Sequence, residues 1–162
     1  MAGADAREPH ELLADARRGD TAAWSAIIEE IGPLVRGYLR AVGDPDPDAE
    51  LANVFDALAD DFDTYGADLD DFVMYVFDIT VGRQRSTRRA LPHAAAPVRP
   101  AADLDPDIRD AVLLQRLGGL EPGQVAHILG VAADQVKTWL VQGEAHLADD
   151  VWSTQARPGE QR

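Results

Sequence analysis

The sequence contains no cysteine and a single lysine, and aromatic side chains make up only 6% of its 162 residues. The absence of cysteine excludes disulfides, thiolate metal sites and cysteine nucleophiles, and it fits a reducing cytoplasm. Because 46% of the residues are nevertheless hydrophobic, the core must be mostly aliphatic, which favours helices over sheets. No apolar run approaches the roughly 18 residues of a membrane span, and the amino-terminal segment lacks the apolar core of a signal peptide. We therefore expect a cytoplasmic protein with no membrane partner.

Basic residues are absent from residues 41–82, where acidic residues are frequent. The formal net charge of the whole chain is −14, which repels nucleic acid at long range unless the charges are segregated. They are segregated, because residues 83–99 contain five arginines and no acidic residue. An acidic block followed directly by a basic block predicts two different partners.

Patterns that carry catalysis or bind metals are also scarce. The four histidines are scattered without ligand spacing, there is no glycine-rich phosphate loop, and no serine lies in a nucleophile motif. The alternating carboxylates Asp44, Asp46 and Asp48 are similar to the start of a calcium loop. The glycine and glutamate that such a loop needs further on are replaced by Ala49 and Phe55, which favours a capped turn. We expect no enzymatic activity, no cofactor, no metal and no small-molecule substrate.

Helical periodicity is what the sequence does contain, and it predicts an all-α protein of two small helical domains. Three prolines in a short alanine-rich segment predict a linker between them. The predicted boundaries are 8–90 for the first domain, 91–103 for the linker, 104–149 for the second domain and 150–162 for a disordered tail. Within the first domain, Asp20 is a suitable helix N-cap, and Gly32 with Pro33 should kink or briefly break the helix that follows.

Residues 120–147 have the pattern of a helix-turn-helix. Gly130 falls at a sharp turn that often needs a positive φ, and a second helix starts at about residue 133. In DNA-binding proteins of this shape the second helix lies in the major groove and its outward side chains read bases. The outward candidates are Gln135, Lys137, Thr138 and Gln142. Because only Lys137 is basic, this helix can neutralise few phosphates, which argues against tight DNA binding.

A second candidate for DNA contact is the basic run VGRQRSTRRA, which ends the first domain. Its arginines are Arg83, Arg85, Arg88 and Arg89. The helix macrodipole, at about 0.3–1 kcal/mol per charge, accounts for one or two arginines near a helix C-terminus. Four exceed that, so the run predicts phosphate contact. The acidic face between Asp44 and Asp78 serves solubility, docks a basic protein surface, or keeps non-specific DNA away from the first domain.

The order of these parts resembles the extracytoplasmic-function (ECF) type of bacterial RNA polymerase sigma factor. The stretch ELLADARRGDTAAWSAIIEEIGPLVRGYLR resembles the opening segment of the family, and DPDPDAELANVF resembles the segment that docks on the polymerase clamp. FVMYVFDITVGRQRSTRRA resembles the segment beside the downstream promoter element. LDPDIRDAVLLQRLGGLEPGQVAHILGVAADQVKTWLVQGEAHL resembles the domain that reads the upstream element. The resemblance implies a non-enzymatic protein that binds core RNA polymerase and promoter DNA, with an anti-sigma factor as a further candidate partner.

The resemblance also implies which residues meet each partner. Leu51, Asn53, Val54 and Phe55 would contact polymerase; Arg83, Arg85, Arg88 and Arg89 would contact downstream DNA; Gln135, Lys137, Thr138 and Gln142 would face the upstream element. The family's recognition helix usually continues into a run of arginine and lysine, which residues 141–146 lack. Two hypotheses therefore stay open: an ECF-type sigma factor, or a sigma mimic that has lost DNA recognition and acts through protein contacts alone.

Overall fold

The regular structure is helical throughout residues 9–62, 69–90 and 103–155, which are the residues that the computed structural model describes. This confirms the predicted all-α class. The helices are α1 (Pro9–Arg17), α2 (Thr21–Ala41), α3 (Pro47–Asp60), α4 (Leu69–Ala90), α5 (Pro106–Gly118), α6 (Pro122–Leu129) and α7 (Ala133–Gln155). We refer to α1–α4 as the first unit and to α5–α7 as the second unit. The predicted linker falls almost wholly outside the described residues, and α7 extends past residue 149, where the second domain was predicted to end.

Four aromatic side chains of the first unit form one cluster. Trp24 of α2 packs edge-on against Phe55, Phe62 and Phe72, with ring centroids 5.9, 5.1 and 6.4 Å apart. Such edge-to-face pairs are each worth about 0.5–1.5 kcal/mol beyond the apolar area that they bury. The aliphatic stripe of α2, including Ile27 and Ile31, is buried beside this cluster.

Helix α2 starts at the predicted N-cap. The Asp20 carboxylate accepts the backbone N–H groups of Ala22 at 2.8 Å and Ala23 at 3.3 Å. We expect Asp20→Ala to lower the free energy of unfolding by about 1 kcal/mol, because these N–H groups lose their acceptor. Urea denaturation measures the change. Asp20→Ser is the matched control, since its hydroxyl still caps the helix, and an equal loss in both variants would contradict the capping role.

Of the predicted kink or break at Pro33, the break is wrong, since α2 continues as one helix from Thr21 to Ala41. Pro33 itself is exposed, whereas its neighbour Gly32 is buried, with Leu51 of α3 only 3.7 Å from where a Cβ would lie. Proline removes one helical hydrogen bond, but tertiary packing can outweigh that loss. Here Ile31 before the proline and Val35 after it are fixed in the same core.

In the second unit, glycines set both turns and one close approach between helices. Gly119 ends α5 with a φ of 64°, and Gly130 ends α6 with a φ of 70°, as predicted for the latter. Gly143, inside α7, faces α5 so closely that a Cβ there would overlap Cγ2 of Val112. The close packing of α5 on α7 therefore depends on a residue without a side chain.

The two units pack directly on each other. Helix α5 of the second unit lies against α2 and α4 of the first, and α6 also contacts α4. At Gly118 of α5, a Cβ would lie 2.8 Å from Cε2 of Phe77, and at Gly37 of α2 it would lie 3.7 Å from Cδ1 of Leu117. The buried residues of both units form one continuous hydrophobic cluster. The arginine run on α4 consequently lies next to the second unit.

Candidate nucleic-acid interface

The arginine run occupies the last part of α4, and its first member is bound within the first unit. Arg83 donates from Nε to Oε1 of Glu50 at 2.6 Å and from Nη2 to Oε2 at 3.1 Å, a two-pronged ion pair between α4 and α3. Glu50 Oε2 also accepts the side-chain amide of Asn53 at 3.1 Å. Burial alone would raise the pKa of Glu50, but the hydrogen bonds from Arg83 and Asn53 outweigh it and lower that pKa. Glu50 thus links one residue predicted to contact DNA to one predicted to contact polymerase.

The lowered pKa of Glu50 predicts an acid-dependent loss of stability. A carboxylate with a depressed folded pKa stabilises the fold above its unfolded pKa, about 4.3 for Glu, and the stabilisation is lost as the pH falls through the folded pKa. We expect Glu50→Gln to be less stable than the wild type at neutral pH and to converge with it in acid. Urea unfolding at a series of pH values measures this.

Arg83→Gln is the matched variant for that experiment. It removes the cation that lowers the pKa of Glu50, so it should show the same convergence with the wild type in acid. A constant difference between Glu50→Gln and the wild type at every pH would mean that the charge of Glu50 contributes nothing to stability.

The next two arginines of the run reach across to the second unit. Arg85 donates from Nη2 to Oδ1 of Asp107 at 2.8 Å, and its Nη1 lies 3.4 Å from the carbonyl oxygen of Leu129, at the end of α6. Both Nη atoms of Arg88 lie 3.4 Å from the carboxylate oxygens of Asp110. Arg89, the last member of the run, is exposed. Two of the four predicted DNA-contacting arginines therefore face carboxylates of α5.

Asp110 is the centre of a buried polar cluster between α2, α4 and α5. Its side chain is 1% exposed, and the Nε atom of the buried Arg109 lies 3.8 Å away. Burial raises the pKa of the Tyr38 phenol, and the nearby charge of Asp110 raises it further. Burial alone would lower the pKa of Arg88, but Asp110 and then Tyr38 outweigh it and raise that pKa. The cluster therefore stabilises the charged form of Arg88 where the two units meet.

The outward face of α7 carries the other predicted DNA contacts. Gln135, Lys137, Thr138 and Gln142 are all exposed, so each could reach a ligand laid along the helix. Lys137 donates to the Asp134 carboxylate at 3.2 Å, and Thr138 donates its hydroxyl to the Asp134 carbonyl at 3.0 Å. Val141, 71% exposed, lies on the same face. This face carries a single cation, and a neighbouring carboxylate already pairs with it.

The residues predicted to contact polymerase are split between core and surface. Leu51, Val54 and Phe55 are buried in the first unit, at 7%, 0% and 4% exposure. Only Asn53 is exposed, together with Asp56 and Asp60 on the same helix. A partner that docks on α3 would meet Asn53 and these carboxylates, while the three apolar residues support the helix from behind.

The alternating carboxylates that are similar to a calcium loop have protein partners instead. Asp44 accepts the side-chain amide of Gln84 and the backbone N–H of Asp46, and Asp46 caps α3 by accepting the N–H of Ala49. Asp48 accepts Nε of Arg36 at 2.6 Å. Within the described ranges, no cluster of His, Asp and Glu has the arrangement of a metal site.

Comparison of the whole chain with known proteins gives a match in structure but not in sequence. No family model matches the chain, and no curated protein matches it. Among solved structures, the structure of CnrH in complex with the cytosolic domain of CnrY is similar with a TM-score of 0.72. The chain has the fold of CnrH. The likeness covers 90% of this chain and 97% of CnrH at 21% sequence identity.

Because the likeness to CnrH covers 90% of this chain, it includes helices of both units. At this level of identity, what is shared with CnrH is the course of the chain rather than individual side chains.

None of the helices in the described part of the chain is long and apolar enough to cross a membrane.

Proposed function

We propose that this chain is an ECF-type sigma factor, or a close sigma-like regulator, that binds core RNA polymerase and directs promoter-specific initiation without enzymatic activity of its own. The observation that carries the proposal is the fold shared with CnrH over nearly the full length of both chains. CnrH is an ECF sigma factor bound to an anti-sigma domain. The order of the sequence motifs supports the same function independently, because it depends on the residues and not on the fold.

The exposed side of α3 is the proposed contact with core polymerase. It presents Asn53 between the carboxylates of Asp56 and Asp60, so it suits a basic protein surface. The arginines of α4 are the proposed contact with downstream promoter DNA, since guanidinium groups pair well with phosphates. By likeness to CnrH and its bound domain, an anti-sigma factor is the proposed regulator.

Co-purification with bacterial core RNA polymerase, followed by run-off transcription, tests the proposal. We expect a stable complex at low salt and promoter-dependent transcripts from the reconstituted holoenzyme. The variant Asp56→Lys, combined with Asp60→Lys, should weaken the complex, because it reverses the charge on the exposed side of α3 alone. No binding of the wild type to core polymerase at low salt, in the absence of any inhibitor, would refute the function.

A second candidate function is a sigma mimic that binds only proteins. It is favoured by the outward face of α7, where Lys137 is paired with Asp134 and Val141 is exposed to solvent. Such a face can neutralise few phosphates but can pack against a protein. A salt-dependent gel shift of promoter DNA with reconstituted holoenzyme separates the two functions, because only a true sigma factor yields a specific shift.

A further inference from the structure

The arginines of α4 and the aspartates of α5 match each other in spacing. Arg85 and Arg88 lie three residues apart, and so do Asp107 and Asp110, so each pair occupies one face of its helix. The two faces meet, with Arg85 bound to Asp107 and Arg88 bound to Asp110. Both ion pairs join the first unit to the second. Three other ion pairs between helices, Arg36 with Asp48, Arg83 with Glu50 and Arg116 with Glu144, each lie within one unit.

The two cross-unit ion pairs differ in their exposure to solvent. The side chains of Arg85 and Asp107 are 31% and 52% exposed, so solvent and salt screen their attraction. Arg88 is 28% exposed, but its partner Asp110 is only 1% exposed. A buried carboxylate that loses its cation is strongly unfavourable, so Asp110 favours the closed arrangement only while Arg88 stays beside it.

We propose that α5 acts as an intramolecular latch, in which Asp107 and Asp110 hold the two units together and occupy Arg85 and Arg88, withholding them from DNA. In the closed arrangement, the carboxylates take the place that phosphate oxygens would take at the same guanidinium groups. When the units separate, Asp107 and Asp110 become hydrated and both arginines become free for phosphates. The closure of the units stands on the contacts alone, whereas the competition with DNA rests on the proposed function.

The latch makes opening sensitive to salt and to anionic ligands. Added salt weakens the exposed pair of Arg85 with Asp107 first, since screening acts most on accessible charges. A polyanion binds the open form and not the closed form, so it shifts the population towards open molecules. The apolar contacts between Phe77 and Gly118 and between Gly37 and Leu117 oppose opening and are not weakened by salt in this way.

Fluorescence energy transfer between the two units tests the closure directly. Because the chain has no cysteine, Ser25→Cys in α2 and Ala145→Cys in α7 give the only two thiols for labelling, and both positions are exposed. We expect Asp107→Asn to raise the open-to-closed ratio about two- to fivefold. Asp107→Asn combined with Asp110→Asn should raise it about tenfold or more. Increasing NaCl should lower the transfer efficiency of the wild type.

Two variants serve as matched controls for the latch. Asp48→Asn and Glu144→Gln each remove one carboxylate from an ion pair with arginine inside a single unit, so neither should change energy transfer between units. Circular dichroism checks that each variant is folded. Should the variant at Asp110 fail to fold, Asp107→Asn and the salt titration of the wild type still decide the question. Unchanged transfer in both would overturn the latch.

Binding of a short DNA duplex to the same labelled variants tests the competition. We expect the variants at Asp107 and Asp110 to bind DNA more tightly than the two control variants, by the same factor as their gain in open molecules. If the units open but DNA affinity stays at the level of the controls, the competition with DNA is overturned and the proposed DNA contact is weakened. If DNA binds well while the units never open, the latch is overturned and the proposed function stands.

Discussion

Replacing Arg85 and Arg88 together by alanine is expected to reduce promoter-specific transcription to background while leaving the binding of core polymerase nearly unchanged. Both arginines lie on one face of α4, and each offers a guanidinium group that suits a phosphate. Each lost phosphate contact removes about 0.9 from the slope of log affinity against log salt, so the double variant should lose about two. Run-off transcription and salt-dependent DNA binding of the reconstituted holoenzyme measure the two effects.

The matched control for that variant is Arg36→Ala combined with Arg116→Ala. Like the test variant, it removes two positive charges. These two arginines lie outside the basic run, where they form surface ion pairs with Asp48 and Glu144. If the control transcribes normally and the test variant does not, initiation depends on the position of the arginines and not on the net charge of the protein. Full transcription from the test variant would contradict the DNA contact. Loss of polymerase binding along with transcription would place the arginines in the protein interface instead.

Local features of this fold could be predicted from the sequence because they depend on neighbours a few residues away. Gly130 takes a positive φ of 70° because it is the left-handed C-cap of α6, and its N–H donates back to the last turn of that helix. Asp20 caps α2 because its side chain reaches N–H groups two and three residues further on. The outward positions on α7 followed from helical periodicity alone, and Gln135, Lys137 and Gln142 are indeed exposed.

Features that depend on how the helices pack could not be predicted in the same way. Leu51, Val54 and Phe55 were assigned to polymerase by their place in a motif, but the packing of α3 buries all three in the core. Pro33 indicates a break when α2 is considered alone, and the break is absent because the core holds both sides of the proline. Motif position identifies a segment, whereas tertiary packing decides which of its side chains a partner can touch.

The ion pairs between the units were missed for a related reason. Arg88 and Asp110 lie on opposite sides of the predicted linker, and the number of arginines in the basic run predicted phosphate contact. The matching three-residue spacing of two arginines on α4 and two aspartates on α5 was a usable signal. It would have indicated that the acidic second unit can itself provide anions for the run. The second unit is acidic, which argues against DNA binding by that unit. Two of its carboxylates, Asp107 and Asp110, pair with arginines of the first unit.

Gly143→Ala is expected to destabilise the protein, although alanine is the better helix former. In α7 the added Cβ would overlap Cγ2 of Val112 and lie 3.3 Å from Cγ2 of Ile108, both on α5. Overpacking of this kind costs about 1–3 kcal/mol, and the gain in helix propensity returns up to about 1 kcal/mol. A net loss of about 1–2 kcal/mol in the free energy of unfolding should follow, measured by urea denaturation.

Gly82→Ala is the matched control, because Gly82 also lies inside a helix but has open space where a Cβ would be. There the same substitution should stabilise the protein by up to about 1 kcal/mol, so the two variants should differ in sign. Val112→Ala removes the atom that the new Cβ would overlap, so in that background Gly143→Ala should become neutral or stabilising. If Gly143→Ala were equally harmful with Val112→Ala as without it, the close approach of α5 and α7 would not be the reason for this glycine.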